Sequence, residues 1–421
     1  MTQPQLQLTA RMRLFPNSAD ANARRLLAAK ALRSIADGYV SVILPAYLLA
    51  MGLSPFRAGV LTTATLLGSA TLTVFAGAIT GRFGHRRPLL WASALMTATG
   101  VGFAVGQGFW PLLLVAFVGT LNPAAGDVSI FLPLEQSLLS QSVADEDRTT
   151  LMARYSVAGA LLVAFGTLLA GVPALAVRSL GMAPLRALQG MFLLYALIGA
   201  AAAGIYRGLA EPRTDLPATR ASALGVSRVR VYRLALLFSI DALGGGLFIQ
   251  TLLALWLFKS FGLSVTTTAA LFFWTNLLAA ASYLAAPIVA RRIGLIKTMV
   301  FTHLPSNLCL IAIPFTSDLH VAVTLLLVRS LLSQMDVPAR SSYVMAVVTP
   351  PERPAAAAVT TVPRSLAAAA SPTIGGYLLT VSSFGWPLLI GGVVKAAYDV
   401  ALLLTFQHVR PPEERREAEM S

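Results

Sequence analysis

Six acids and five bases interrupt the long apolar stretches of this chain: Asp37, Asp127, Glu135, Asp241, Asp336 and Asp399 against Arg154, Arg329, Arg340, Arg364 and Lys395. A charge inside a bilayer costs roughly 2.5–3.5 kcal/mol on insertion scales, so each needs a partner or a wet cavity. Three chemistries are open to them: ion pairing, proton carriage and solute binding. Arg33/Asp37, Asp336/Arg340 and Lys395/Asp399 stand four residues apart and can neutralise each other along one helix face. Glu135 and Arg154 lie near the same ends of adjacent apolar stretches and are expected to form a gate ion pair. Arg329 has no acid one turn away. At 1.5 Å per residue it lies ~15 Å into its stretch, so its partner must come from another helix or from a solute, in one case an anionic one. A carboxylate in a low-dielectric cavity can take up a proton near physiological pH. Asp37, Asp127, Asp241 and Asp336 are the candidates for that role, with ion pairing near one mouth of the protein as the alternative. His303 is expected to be structural, and Tyr39, Asn122, Gln250 and Asn276 are possible polar contacts in an otherwise apolar cavity.

The elements that carry these residues follow from composition. Of 421 residues 56% are hydrophobic and 12% charged, and the mean hydropathy is +0.72. At ~20 apolar residues per span this supplies about twelve transmembrane helices. The stretches are too long and too continuously apolar for barrel strands, so an all-α membrane protein is expected. Residues 1–30 read as a basic tail, 31–206 as six spans, 207–230 as a polar linker with five arginines, 231–408 as six more spans, and 409–421 as a second tail. With both termini inside, 23 of the 32 Lys and Arg fall on the cytoplasmic side and four outside, which fixes the expected orientation in an inner (plasma) membrane. The net charge of +14 is therefore assigned to topology and lipid rather than to nucleic acid. One cysteine, Cys309, excludes an intrachain disulfide and a thiolate metal cluster. No cofactor is expected, and a monomer is.

The halves repeat. Met51-Gly52-Leu53-Ser54 returns as Phe261-Gly262-Leu263-Ser264, and Arg82-Phe83-Gly84 as Arg292-Ile293-Gly294. Asp37 answers Asp241, and Asp127 answers Asp336. Two parallel six-helix repeats point to a transporter with its site near the midplane between them. Pro123 near Asp127 and Pro338 near Asp336 mark helices expected to bend, and the stretch from Pro363 to Gly376 is suited to close packing.

The loop from Gly77 to Arg87 resembles the motif between helices 2 and 3 of the major facilitator superfamily. Gly77, Ile79, Arg82, Phe83, Gly84, Arg86 and Arg87 fit it, while Gly81 replaces its usual acid. A degenerate second copy keeps Pro287, Arg292, Gly294 and Lys297, with Arg291 in the acidic position. The resemblance implies two pseudo-symmetric six-helix bundles, with helices 1, 4, 7 and 10 lining a central cavity. It also implies a conformational role for the loop, in which Asp145, Glu146 and Asp147 would stand in for the missing acid. Glu135, Arg154 and Arg340 join the loop as gate residues. The expected function is secondary transport by alternating access: proton-coupled efflux of a small organic compound. Uptake or uniport of a small metabolite, an anionic one included, and metal or metalloid export are the alternatives. No catalytic triad, HExxH or phosphate-binding loop supports an enzyme or an ATP-driven pump.

Overall fold

The computed structural model describes residues 19–124, 129–143, 145–210 and 224–409; the side chains of 77–79, 81–82, 145–150, 350 and 354 lie outside that description. The described chain is helical throughout. The first group comprises α1 (Ala21–Ala50), α2 (Pro55–Phe83), α3 (Arg86–Val105), α4 (Phe109–Val118), α5 (Phe131–Gln141), α6 (Asp145–Leu168), α7 (Val172–Leu180) and α8 (Pro184–Arg207). The second comprises α9 (Arg228–Gly246), α10 (Gln250–Phe261), α11 (Val265–Ile293), α12 (Leu295–Ala312), α13 (Leu319–Leu332), α14 (Asp336–Ala346), α15 (Arg353–Val381) and α16 (Trp386–Phe406). Ten helical stretches are long and apolar enough to cross a bilayer, against the twelve expected. The shortfall has local causes. The fourth stretch is broken into α4 and α5, and α15 is long enough but carries Arg364 among alanine, threonine and proline.

Sequence repeats become structural repeats. Gly52 and Gly262 adopt φ of 75° and 62°, a left-handed turn that a side chain resists, and Ser54 and Ser264 then cap the next helix through Arg57 N–H and Thr267 N–H. Three stretches break at mid-length. The seventh stops at Gly244-Gly245-Gly246, where three glycines weaken the helix, and resumes at Gln250. The tenth stops at Leu332 and resumes at Asp336, so Pro338 falls in a first turn where its missing N–H costs nothing. The fourth stops at Val118 and resumes at Phe131.

The two groups meet away from the basic loops. Where α2 crosses α15, a Cβ on Gly59 would stand 2.4 Å from Pro372 O, and one on Gly376 would stand 2.5 Å from Pro55 O. Thr373 donates to Thr63 Oγ1 (2.8 Å) and Phe56 N–H to Thr380 Oγ1 (2.9 Å) at the same crossing. Phe165 of α6 packs on Phe273 of α11, and Thr251 Oγ1 donates to Pro123 O (2.7 Å). Those in α2, α6, α11 and α15 lie in the halves of their helices remote from the loops at Gly84 and Gly294.

At the basic end, the start of the second group is fastened by Glu352. Its carboxylate accepts from Gly225 N–H (2.5 Å) and Thr349 Oγ1 (2.8 Å), and Arg230 donates to Val347 O (2.7 Å). Hydrogen bonds from Ser227, Thr349 and Gly225 hold the Glu352 carboxyl at about 2, below its ordinary 4.5. A depressed folded-state value means the contact is complete above about 4.5 and is lost as the pH falls towards 2. Glu352→Ala should therefore expose Arg228 and Arg230 to trypsin several-fold faster at neutral pH, and acidification of the wild type should reproduce the effect. Equal cleavage rates would refute the fastening role.

Candidate functional site

A cavity of about 300 Å³ opens beside the breaks in the fourth, seventh and tenth stretches. Its wall is built by Phe248, Ile249 and Gln250 at the α9–α10 junction, by Phe272, Asn276 and Tyr283 of α11, and by Arg329 and Gln334 around the end of α13. Lys395 of α16 closes one side, and Ala124, Ala160 and Val163 of the first group face it. The guanidinium of Arg329 lies over the Phe248 ring (5.1 Å to the centroid), and its Nε is buried without a hydrogen-bond partner. Among the described residues no carboxylate pairs with it. A larger hollow of about 480 Å³ lies at the basic end, under Arg291, Arg292 and Lys297. Among the described residues it leaves no buried donor unsatisfied, and Pro338 and Ala339 in its lining adjoin the Asp336–Arg340 pair.

Behind the cavity wall lies a buried charge cluster. Asp241 of α9, 3% exposed, takes Lys395 Nζ (2.5 Å) and Arg340 Nη1 (3.2 Å), with His303 Nε2 at 3.9 Å. Arg340 also reaches Asp336 (3.2 Å). His303 Nδ1 and Asn307 Nδ2 stand 2.8 Å from Asp399. Arg364 of α15 acts electrostatically on Asp241, Asp336 and Arg340. Three carboxylates thus face three cations and a histidine. A buried set of this kind tolerates no unbalanced change, since an uncompensated ion costs several kcal/mol, roughly 3–5 when one partner is removed.

The first group holds a separate cluster. Arg33 pairs with Glu135, which also accepts from Tyr155 and from Tyr206 (2.5 Å). Arg33 stacks on Phe131 (4.0 Å to the centroid). Asn122 Nδ2 lies 3.5 Å from Asp37 Oδ2.

Several expectations are corrected by this geometry. Glu135 pairs with Arg33 rather than Arg154, whose Nη1 is buried without a partner among the described residues. Lys395 turns to Asp241 and Asp399 to His303, so those two do not pair along α16. Asp336 and Arg340 do pair as spaced. Asp241 and Asp336 stand behind the cavity wall, not in it. Tyr39 donates to Met191 O (3.2 Å) and faces α8 instead of the cavity. Gln250, Asn276 and Arg329 do line it. Gly84 ends α2 with φ 70°, and Arg86 and Arg87 open α3, with Arg87 over the Phe83 ring (5.9 Å). Asp127 and the side chains of Gly77, Arg82, Asp145, Glu146 and Asp147 lie outside the described residues. His303 is expected to be structural and Lys395 to pair with Asp399, and Asn307 is not singled out, yet the structure brings all four into this cluster. The signal that marks them is four polar side chains aimed into one apolar bundle.

Residues 26–335 and 234–421 match the family profile described as Major Facilitator Superfamily. The uncharacterized membrane protein YJR124C of Saccharomyces cerevisiae is 23% identical over 367 residues, 79% of this chain and 82% of that protein. The crystal structure of a point mutant of the nucleoside transporter NupG superposes with a TM-score of 0.73 at 13% identity, covering 91% of this chain and 100% of that one. A bacterial homologue of the human lysosomal transporter Spinster, inward-facing and unoccupied, gives 0.70 at 15% identity, covering 92% and 98%. These likenesses establish the fold.

Proposed function

The chain belongs to the major facilitator superfamily, a multi-pass membrane transporter and not an enzyme, and from that premise we propose that it couples movement of a small organic solute to protons through Lys395 and Asp241. The observation that carries this reading is the double placement of Lys395: it forms part of the cavity wall and is also the nearest cation to Asp241. A solute that draws Lys395 towards the cavity leaves the cluster with excess negative charge in an apolar interior. A proton on Asp241 restores neutrality. The groups facing Asp241 are Lys395, Arg340 and His303, with Arg364, Asp336 and Asp399 beyond them.

The linkage has a sign. Solute and proton load together, and each raises the other's affinity by the same factor. That supports co-transport, in which an inward proton gradient drives uptake. The efflux by antiport expected from the acids alone requires solute and proton to exclude each other. Metal export fits less well, because Arg329 and Lys395 in the wall repel cations and no described carboxylate lines it. We place the basic loops on the cytoplasmic side of an inner membrane, from the distribution of Lys and Arg. Contact between the two groups at the opposite end then corresponds to an inward-facing arrangement. The division into two bundles, 31–206 and 231–408, joined by residues 207–230, is part of this reading.

The test is accumulation in proteoliposomes. With the exterior acidic, a substrate from a panel of small organic compounds should concentrate inside, and a protonophore should abolish the concentration while leaving downhill entry intact. Accumulation that survives the protonophore would overturn proton coupling.

A further inference from the structure

We infer that the cavity at Arg329 binds a small organic monocarboxylate, an assignment that rests on the transporter reading above. Among the described residues, three hydrogen-bond donors in its wall are buried and have no acceptor: Arg329 Nε, Gln250 Nε2 and Asn276 Nδ2. They come from three different helices, α13, α10 and α11. Unsatisfied buried donors are costly and rare, and three converging on one cavity describe an acceptor-rich guest. The Phe248 ring orients the guanidinium but supplies neither a lone pair nor a full negative charge.

Charge sets the class. Before the guest enters, Lys395, the other cation in the wall, is neutralised by Asp241. Among the described residues one uncompensated positive charge, that of Arg329, remains in the wall, and it matches one negative charge on the guest. A guanidinium presents parallel N–H donors that suit the two oxygens of a carboxylate. The rest of the wall includes Ile249, Leu253, Phe272 and Leu326, which suit an apolar body. The volume of about 300 Å³ stands at the lower end of the usual range for small-molecule sites, ~300–1,000 Å³.

Binding measures this without any gradient. Purified protein is titrated with butyrate, hexanoate, benzoate and phenylacetate, each against its own primary amide, with thermal unfolding and calorimetry as readouts. At least one carboxylate should bind about tenfold or more tightly than its amide, the range expected for a charged hydrogen-bond pair. Arg329→Gln should erase that preference and Arg329→Lys should keep part of it. Gln250→Leu and Asn276→Leu, which leave the charge in place, should each weaken carboxylate binding several-fold, and they carry the test where Arg329→Gln does not fold. Amides that bind as well as their acids in every pair, or undiminished carboxylate binding by Arg329→Gln, would overturn the inference. So would chloride alone producing the whole stabilisation, which would make this an inorganic-anion site. Carboxylate binding with protonophore-insensitive transport would remove the coupling scheme and leave this assignment standing. Proton-driven flux of a neutral or cationic solute, with no carboxylate bound, would do the reverse.

Discussion

Asp241→Asn should abolish proton-driven accumulation and leave solute exchange across the membrane in place. The substitution removes the carboxylate that Lys395 and Arg340 share, so two cations lose a buried partner at once. A stability loss of about 3–5 kcal/mol is expected for such a break. Loss of function alone would therefore be ambiguous. The double variant Asp241→Asn/Lys395→Met separates the two effects, because removing both members of a buried pair is far less costly than removing one. It should recover much of the thermal stability and still show no dependence of flux on the proton gradient. A double variant that regains both stability and proton-driven accumulation would reduce Asp241 to a structural residue.

Gly376→Leu should arrest the cycle by a different route. A Cβ at this position already meets Pro55 O at 2.5 Å and Gly59 Cα at 2.9 Å, so even alanine forces α2 and α15 apart. Overpacking of this kind costs about 1–3 kcal/mol, which is roughly a five- to 150-fold shift in population. The state in which the two groups touch at this end should be depleted by that factor. Spin labels at Phe56 and Thr380, whose backbone and side chain hydrogen-bond in the contact, should report a longer distance in the variant. Transport should fall in proportion. An unchanged distance distribution with normal transport would mean that the crossing does not gate.

Much of this architecture was legible in the sequence because it depends on composition and local turn chemistry. The Gly-Leu-Ser repeats at 52–54 and 262–264 mark equivalent positions in the two halves, and at both the structure has a turn followed by a capped helix. The polar residues Gln250, Asn276 and Arg329 stand out against apolar neighbours, and they share one cavity. Pairing was less legible. A spacing of four identifies side chains on one face of a helix, but it does not reveal which other helix packs there. Asp336 and Arg340 meet as spaced, because α14 starts at Asp336 and both fall on its buried side. Lys395 and Asp399 do not, because α9 brings Asp241 to the first and α12 brings His303 to the second. Glu135 was misassigned for the same reason, with Arg33 reaching it from α1. The helix breaks were only half legible. Pro123 and Pro338 mark two of them, whereas the seventh stretch, which stops at Gly244-Gly245-Gly246, reads as continuous.

Whether solute entry carries protons in the same direction is tested directly by one measurement. Wild-type protein is reconstituted in weakly buffered liposomes containing a trapped pH-sensitive dye, with no initial pH gradient, and a transported solute is added outside. Co-transport through Lys395 and Asp241 predicts that the lumen acidifies as the solute enters, and that Asp241→Asn, in liposomes preloaded with the same solute, exchanges it without acidification. Solute entry with a constant lumenal pH, or with alkalinisation, would contradict it.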